Sequence, residues 1–210
     1  MSLAAGQIAL PLDWPAGDDE RDYVVSASNT AVVRHFEHWS LWPVMATVLT
    51  GPRKSGRSLL GRIVAARTGG ELYDNAEVVD EETLFHAWNR AQERRRPLIL
   101  IADRLPPEWT IALPDLRSRI AATPVVSIPD PDEELATRLI EKMAHDRGLA
   151  APPELLRYLG PRIERSYLGI HHTLEALDEL ALQRRQGLTV PLARRALIAM
   201  GVIDESHANG

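Results

Sequence analysis

The 210 residues are enough for one medium-sized domain, or for one domain with a small lid, and their hydrophobic share of 45% and charged share of 25% are ordinary globular values. The sequence contains no cysteine, which excludes disulfides and thiolate chemistry, and we expect a cytoplasmic protein. A formal net charge of -5 argues against a surface built for duplex DNA, and no apolar run reaches the roughly 20 residues that span a bilayer.

Residues 1–22 are predicted to be extended, because prolines and acidic residues disfavour regular structure there. Further along, apolar residues at helical spacing alternate with short apolar runs that are typical of buried strands. This pattern predicts helices at 30–40, 57–68, 80–95 and 116–120, and strands at 43–50, 72–73, 97–102 and 125–128. From there on only helical patterns occur, at 132–147, 153–163, 166–186 and 191–200.

Strands that alternate with helices predict an α/β domain with a parallel sheet, and the helices that follow predict a small all-helical domain. We place the boundary between the two near Asp130. The predicted organisation is therefore an extended segment, a base domain, a helical domain and a short tail, at 1–22, 23–129, 130–203 and 204–210.

A phosphate-binding loop is predicted at residues 51–58, which read GPRKSGRS, follow a strand and open a helix. In such a loop the backbone N–H groups and the helix N-terminus bind phosphate, and Ser58 would ligate Mg²⁺. Arg57 occupies the position where the pattern has lysine. The alternative is a glycine-rich turn without a ligand. The candidate nucleotide-binding residues of this loop are Gly51, Lys54, Ser55, Gly56, Arg57 and Ser58.

Four segments, in the same order, resemble the bacterial initiator DnaA and its short homologues of the Hda type, which are P-loop proteins of the AAA+ class. They are the peptide QIALPL at 7–12, the phosphate loop, the stretch from LILIADRLPPEW to LPDLRSR at 98–119, and the helical region from Pro129 to Ala193. The resemblance implies a three-layer AAA+ fold with a parallel sheet and a helical lid. Relatives have one more strand and helix before residue 74, so we expect a reduced sheet of about four strands.

The resemblance also implies roles for individual residues. Asp103 falls at the sensor-1 position, which faces bound nucleotide, and Arg119 falls at the arginine finger, which acts on nucleotide held by a neighbouring subunit. The alternative for Arg119 is an ordinary surface arginine. In the N-terminal peptide, Gln7, Leu10 and Leu12 would bind the replication sliding clamp; the alternative is an arm that packs on its own domain.

The acidic strand that holds Mg²⁺ in this family aligns with residues 72–75, so that Asp74 would be the magnesium residue. The second acid of hydrolysing members is Asn75 here, and an amide cannot act as a general base. Glu77 is a weak substitute for it. A plain turn at Asp74 and Asn75 is a serious alternative.

The lid departs from the family as well, because the family's sensor-2 arginine aligns with Leu168 of this chain. Arg162 and Arg165 lie one to two turns away, but neither is a strong replacement. The seven histidines, His171 among them, show no metal-ligand spacing and are predicted to be structural or on the surface. Together these departures predict a nucleotide binder with no efficient ATPase activity of its own.

We therefore expect an adaptor that binds the sliding clamp and promotes hydrolysis of DnaA-bound ATP, with ADP or ATP as its ligand and Mg²⁺ as the accompanying ion. The chain stops soon after Met200, so we expect no helix-turn-helix domain and no sequence-specific DNA binding. No membrane partner is expected, and a homo-oligomer is compatible with the sequence. The alternatives are a nucleotide-free AAA+ scaffold and a small P-loop kinase.

Overall fold

The computed structural model describes residues 23–204, and its base is a four-stranded, entirely parallel sheet. The strands are β1 (Ala46–Thr50), β2 (Glu71–Tyr73), β3 (Leu98–Ile101) and β4 (Val125–Ser127), in the order β2-β3-β1-β4. The predicted α/β class and the reduced sheet of about four strands are confirmed.

The two central strands, β1 and β3, are buried along almost their whole length. Their register pairs Ala46 with Leu98 and Leu49 with Ile101. Continuous apolar runs are what a parallel sheet covered on both faces requires, because side chains on both sides of each strand lie in the core. This explains why these two strands have the strongest sequence signal.

Strand β2 forms one edge of the sheet and pairs only with β3, with Tyr73 opposite Leu100. Its carboxylate Glu71 binds Arg90 through two hydrogen bonds, of 3.0 and 2.7 Å from Nε and Nη2. A short strand with a charged pair at its side is a poor template for edge-to-edge association. Strand β2 can therefore form the edge of the sheet without favouring association with a strand of another molecule.

Within residues 23–204, eight α-helices surround the sheet and build the lid. They are α1 (Thr30–Glu37), α2 (Arg57–Thr68), α3 (Glu81–Arg94), α4 (Pro114–Ala122), α5 (Glu133–Asp146), α6 (Pro153–Leu159), α7 (Tyr167–Arg184) and α8 (Val190–Ala199). Helix α6 ends four residues before its predicted end, because Pro161 has no N–H to donate to the helical hydrogen bonds. Helix α4 is longer than predicted, since Pro114 fits the first helical turn.

The described residues form two hydrophobic clusters, one around the sheet and one within α5–α8. Leu135 of α5 and Tyr167 of α7 belong to the sheet cluster, and Arg138 Nη1 donates to the carbonyl of Val25 at 2.6 Å. The helical region is thus packed onto the base through its first and third helices. Within residues 23–204, no helix has the length and apolar character that a membrane crossing requires.

Candidate functional site

The loop between β1 and α2 has the backbone conformation of a phosphate loop. Gly51 has φ 145°, and a Cβ there would lie 2.9 Å from the carbonyl oxygen of Ile128, so no side chain fits. Lys54 and Gly56 also have positive φ, at 67° and 85°. Helix α2 begins directly afterwards at Arg57, so its unpaired N–H groups face the loop.

A cavity of about 520 Å³ lies between this loop, the segment before α1 and the lid. The loop contributes Lys54, Ser55 and Gly56, and the base contributes Tyr23. The lid supplies the opposite wall, with Leu135, Leu139, Lys142, Met143, Asp146, Tyr167 and His171. A volume of this size holds a nucleotide-sized ligand.

Three hydroxyl groups at this cavity are buried without a hydrogen-bond partner within residues 23–204: those of Ser55, Tyr23 and Tyr167. Burial, followed by the charges of Asp130 and Asp132, raises the pKa of Tyr167 to about 12, so its hydroxyl is a donor at neutral pH. Buried polar groups are normally paired, and leaving one unpaired costs about 1–3 kcal/mol. These orphaned hydroxyls, the glycine cradle and the nearby cations fit a phosphate-bearing ligand such as a nucleotide.

The guanidinium group of Arg57 is bound to residues that follow β3 and does not extend freely toward the loop. Its Nη2 lies 2.6 Å from Oδ1 of Asp103, and its Nη1 donates to the carbonyl of Ala102 at 3.1 Å. The guanidinium is mostly buried, with a side-chain exposure of 12%. Arg57 therefore links the phosphate loop to the end of β3, and its partner is Asp103, the residue predicted at the sensor-1 position.

Replacing Asp103 by asparagine is expected to destabilise the protein by about 1 kcal/mol at neutral pH, since the carboxylate is partly exposed and screened. Arg57 and then Arg53 hold the pKa of Asp103 below its ordinary value of 3.8, so the stabilisation is present above that value and is lost as pH falls below it. Urea unfolding at several pH values measures this. Wild type and variant should converge in acid; a constant difference would contradict the prediction.

The acidic residues after β2 have different environments. Asp74 is exposed and accepts a hydrogen bond from the N–H of Asn75 at 3.0 Å, and Asn75 has φ 52°. Within residues 23–204 no group of three or more acids and histidines is arranged to hold a metal. Ser58 and Asp74 thus remain a predicted magnesium pair that would need phosphate oxygens of the ligand to complete it.

Two glutamates hold the loop that joins β3 to α4. Glu77 Oε1 accepts hydrogen bonds from the backbone N–H groups of Asp103 and Arg104, the latter at 2.9 Å. Glu81 accepts from the N–H groups of Ala112 and Leu113 at 2.8 and 2.6 Å. Glu77, a weak substitute for a catalytic acid in the sequence, therefore binds the backbone of the predicted sensor-1 segment.

Arg119 lies on α4 and contacts α3 rather than the cavity. Its guanidinium carbon lies 4.0 Å from the centre of the Phe85 ring and 4.8 Å from that of Trp88, and Nη1 donates to Oδ1 of Asn89. Cation–π contacts of this kind hold a guanidinium in a defined place on a surface. Arg117, one half-turn earlier, is exposed and has no recorded side-chain partner in the described part of the chain.

The lid presents two residues of α7 to the cavity, Tyr167 and His171, which are one turn apart. Leu168, at the sensor-2 position, is 46% exposed and does not line the cavity. Arg165 pairs with Glu133 at 3.3 Å, and Arg162 stacks on Tyr158, so neither replaces it. His171 was missed from the sequence, although its i, i+4 spacing from Tyr167 is the signal that places both on one face.

The predicted clamp-binding residues Gln7, Leu10 and Leu12 lie outside the described residues, and their role stays a prediction. Among the others, the structure places Lys54, Ser55 and Gly56 at the cavity. Gly51 and Ser58 belong to the same loop and helix start, Arg57 and Asp103 pair beside it, and Asp74 and Arg119 lie on other parts of the surface.

Comparison with protein families shows that residues 132–197 match the model described as "Hda, lid domain". An uncharacterised protein of Haemophilus influenzae is 28% identical over 118 residues, which cover 56% of this chain and 51% of that protein. The chain thus spans about half the length of the curated relative it matches.

Among solved structures, the fold is similar to domain III of the replication initiation protein DnaA from Thermotoga maritima, with a TM-score of 0.67, 14% identity, and coverage of 85% of this chain and 95% of that one. It is also similar to AMPPCP-bound DnaA from Aquifex aeolicus, with a TM-score of 0.56, 14% identity, and coverage of 75% and 64%. At this identity the likeness concerns the fold. The predicted AAA+ fold with a helical lid is confirmed.

Proposed function

We propose that this chain, a DnaA-related AAA+ protein with an Hda-type lid, is an adaptor that binds the replication sliding clamp and promotes the hydrolysis of DnaA-bound ATP. In this proposal it is a negative regulator of replication initiation. Its own nucleotide, ADP or ATP, is a structural ligand rather than a substrate.

The observation that carries the proposal is the match of residues 132–197 to the Hda lid model. The lid is the part of an AAA+ subunit that closes over nucleotide, and here four of its helices form a separate hydrophobic cluster. In this proposal, the likeness of the base to the fold of DnaA domain III supports association with DnaA.

The cavity supports nucleotide binding by this chain. The phosphate loop would surround the phosphates through backbone N–H groups, and Lys54 would add charge. Tyr23 and the apolar lid residues Leu135 and Leu139 would enclose the remainder of the nucleotide. Bound nucleotide would join base and lid, because its binding groups come from both.

Arg119 supports action on a partner. It does not line the cavity of its own subunit, and it is presented at the surface formed by α3 and α4. During hydrolysis of DnaA-bound ATP, a planar guanidinium would donate hydrogen bonds to the oxygens of the departing γ-phosphoryl group. Arg119 would then stabilise charge that develops as water attacks phosphorus and ADP leaves.

A nucleotide-free scaffold is the second candidate, and the ion pair between Arg57 and Asp103 favours it, because both residues are then engaged with each other. Calorimetry with ADP and ATP separates the candidates: the adaptor binds at least one of them, and the scaffold binds neither. A small P-loop kinase would bind ATP and also transfer its phosphate.

The test of the proposal is hydrolysis of DnaA-bound ATP in the presence of clamp loaded on DNA, with and without this protein. A higher rate with the protein supports the adaptor. An unchanged rate, with binding to both partners intact, would overturn it.

The clamp contact has its own prediction. Replacing Gln7, Leu10 and Leu12 by alanine is expected to weaken clamp binding by on the order of a hundredfold or more, since aliphatic anchors in a pocket are worth about 2 kcal/mol each. Surface plasmon resonance on immobilised clamp measures this. Ala4 and Ala5, which precede the peptide, offer a control when changed to serine, and equal affinity of the triple alanine variant and wild type would refute the motif.

A further inference from the structure

Helix α7 places an ionisable side chain, His171, at the cavity. In the resemblance, the corresponding lid residue is an arginine, and it aligns with Leu168 instead. His171 and Tyr167 line the cavity from the same face of the helix, opposite Lys54 and Ser55 of the phosphate loop. Leu168 lies on a different face and is 46% exposed. Of the two rings of α7 at the cavity, the phenol of Tyr167 and the imidazole of His171, the imidazole is the one that can carry a positive charge toward a ligand.

The charges around His171 come from three elements. Lys54 faces it from the phosphate loop, and on α5 Lys142 pairs with Asp146 at 2.8 Å, while Arg147 pairs with Asp178 of α7 at 3.5 Å. On α7 itself the charges of Glu175 and His172 act on His171, and the titratable Tyr167 lies one turn earlier at the same cavity.

In the absence of a ligand, burial and then the charge of Lys54 lower the pKa of His171 from its ordinary value of 6.5, with Glu175 acting in the opposite direction. The neutral imidazole therefore predominates at neutral pH. A phosphate between His171 and Lys54 would reverse this balance, because its negative charge stabilises the imidazolium.

We propose that His171 is the lid residue that binds the phosphates of the nucleotide, by donating a charge-assisted hydrogen bond across the cavity from Lys54. The inference rests on the proposed nucleotide binding and adds to it a specific residue and a proton. Binding of a nucleoside diphosphate is accompanied by proton uptake at His171. Affinity rises as pH falls from the pKa of the imidazole in the complex to its pKa in the ligand-free protein.

The experiment is isothermal titration calorimetry of the full chain with ADP and with adenosine, at about pH 6 and about pH 7.5. Wild type is compared with His171→Gln and with His172→Gln, a matched control on the exposed neighbouring face of α7. Buffers of different ionisation enthalpy report proton uptake. The glutamine variant also corrects for the titration of ADP itself, whose terminal phosphate has a pKa of about 6.

For wild type and His172→Gln we expect ADP binding with proton uptake, and affinity that is higher at the lower pH. For His171→Gln we expect on the order of tenfold weaker ADP binding near pH 6, a smaller loss near pH 7.5 and less proton uptake. Adenosine, which lacks phosphate, should bind all three proteins equally. A thermal unfolding midpoint close to that of wild type shows that the variant is folded.

ADP binding that is the same in His171→Gln and wild type at both pH values would overturn the assignment of His171 and leave nucleotide binding intact. An equal loss with adenosine would also overturn it, since the residue would then support the cavity rather than the phosphates. Absence of ADP binding by wild type would instead refute the nucleotide ligand in the proposed function.

Discussion

Replacing Arg119 by alanine is expected to reduce the stimulated hydrolysis of DnaA-bound ATP by about 10³–10⁵, the usual contribution of an arginine finger. The reason is chemical: a permanently charged, planar fork binds two oxygens of the transferring phosphoryl group, and alanine has no replacement for it. The measurement is single-turnover hydrolysis of radiolabelled ATP on DnaA, with clamp loaded on DNA.

The fold and the nucleotide affinity of the variant should change little. Arg119 does not line the cavity, and its loss removes contacts with Phe85 and Trp88 worth about 0.5–1 kcal/mol each. Lysine at 119 should restore only part of the rate, since an ammonium group has no planar fork.

Arg117→Ala is the matched control, because Arg117 lies on the same helix two residues earlier and is exposed. It should leave stimulation near the wild-type rate. Loss of stimulation in Arg117→Ala with full activity in Arg119→Ala would mean that Arg117, and not Arg119, is the arginine finger. Full activity in both variants would favour the scaffold.

The purified chain alone is expected to hydrolyse ATP far below the ordinary enzyme range of about 1–1000 per second. Arg57 is engaged by Asp103 and the Ala102 carbonyl, and Glu77 accepts two backbone hydrogen bonds. Asn75 cannot accept a proton from water as a general base. Each missing transition-state contact costs about 10²–10³ in rate.

Steady-state phosphate release with an excess of ATP tests this prediction. A variant with Arg119→Ala should be equally slow, because Arg119 does not line the cavity of its own subunit. A turnover above about 1 per second in wild type would show that the phosphate loop functions with arginine in place of lysine.

The fold was largely predictable because its elements carry strong local signals. The buried strands β1 and β3 are continuous apolar runs, and helix α2 begins and ends at the predicted residues 57 and 68. Strand β2 had only a weak signal at 72–73, since three half-buried residues have no distinctive pattern. The end of α6 was misplaced because apolar periodicity continues to Ile163, although Pro161 stops the helix.

The candidate site was predictable in part. The glycines of the phosphate loop predict its backbone conformation, because positive φ is costly for other residues. Side-chain partners could not be predicted from the sequence, because they depend on which strand ends become neighbours. Arg57 pairs with Asp103, 46 positions later, and Glu77 binds the N–H groups of residues 103 and 104. His171 was missed for the same reason, since it reaches the cavity only after the lid folds onto the base.

The hydrogen bonds of Glu77 and Glu81 have a mechanical consequence for this subunit. Both glutamates belong to one stretch, the turn after β2 and the first turn of α3, and they hold opposite ends of the loop between β3 and α4. Arg119 rests on the same α3. The end of β3 and helix α4, which carries Arg119, are therefore both attached to α3 and the turn before it. In the adaptor proposed above, a ligand that displaces Asp103 would act on the same segment that holds Arg119, so the cavity and the α3–α4 surface would be coupled.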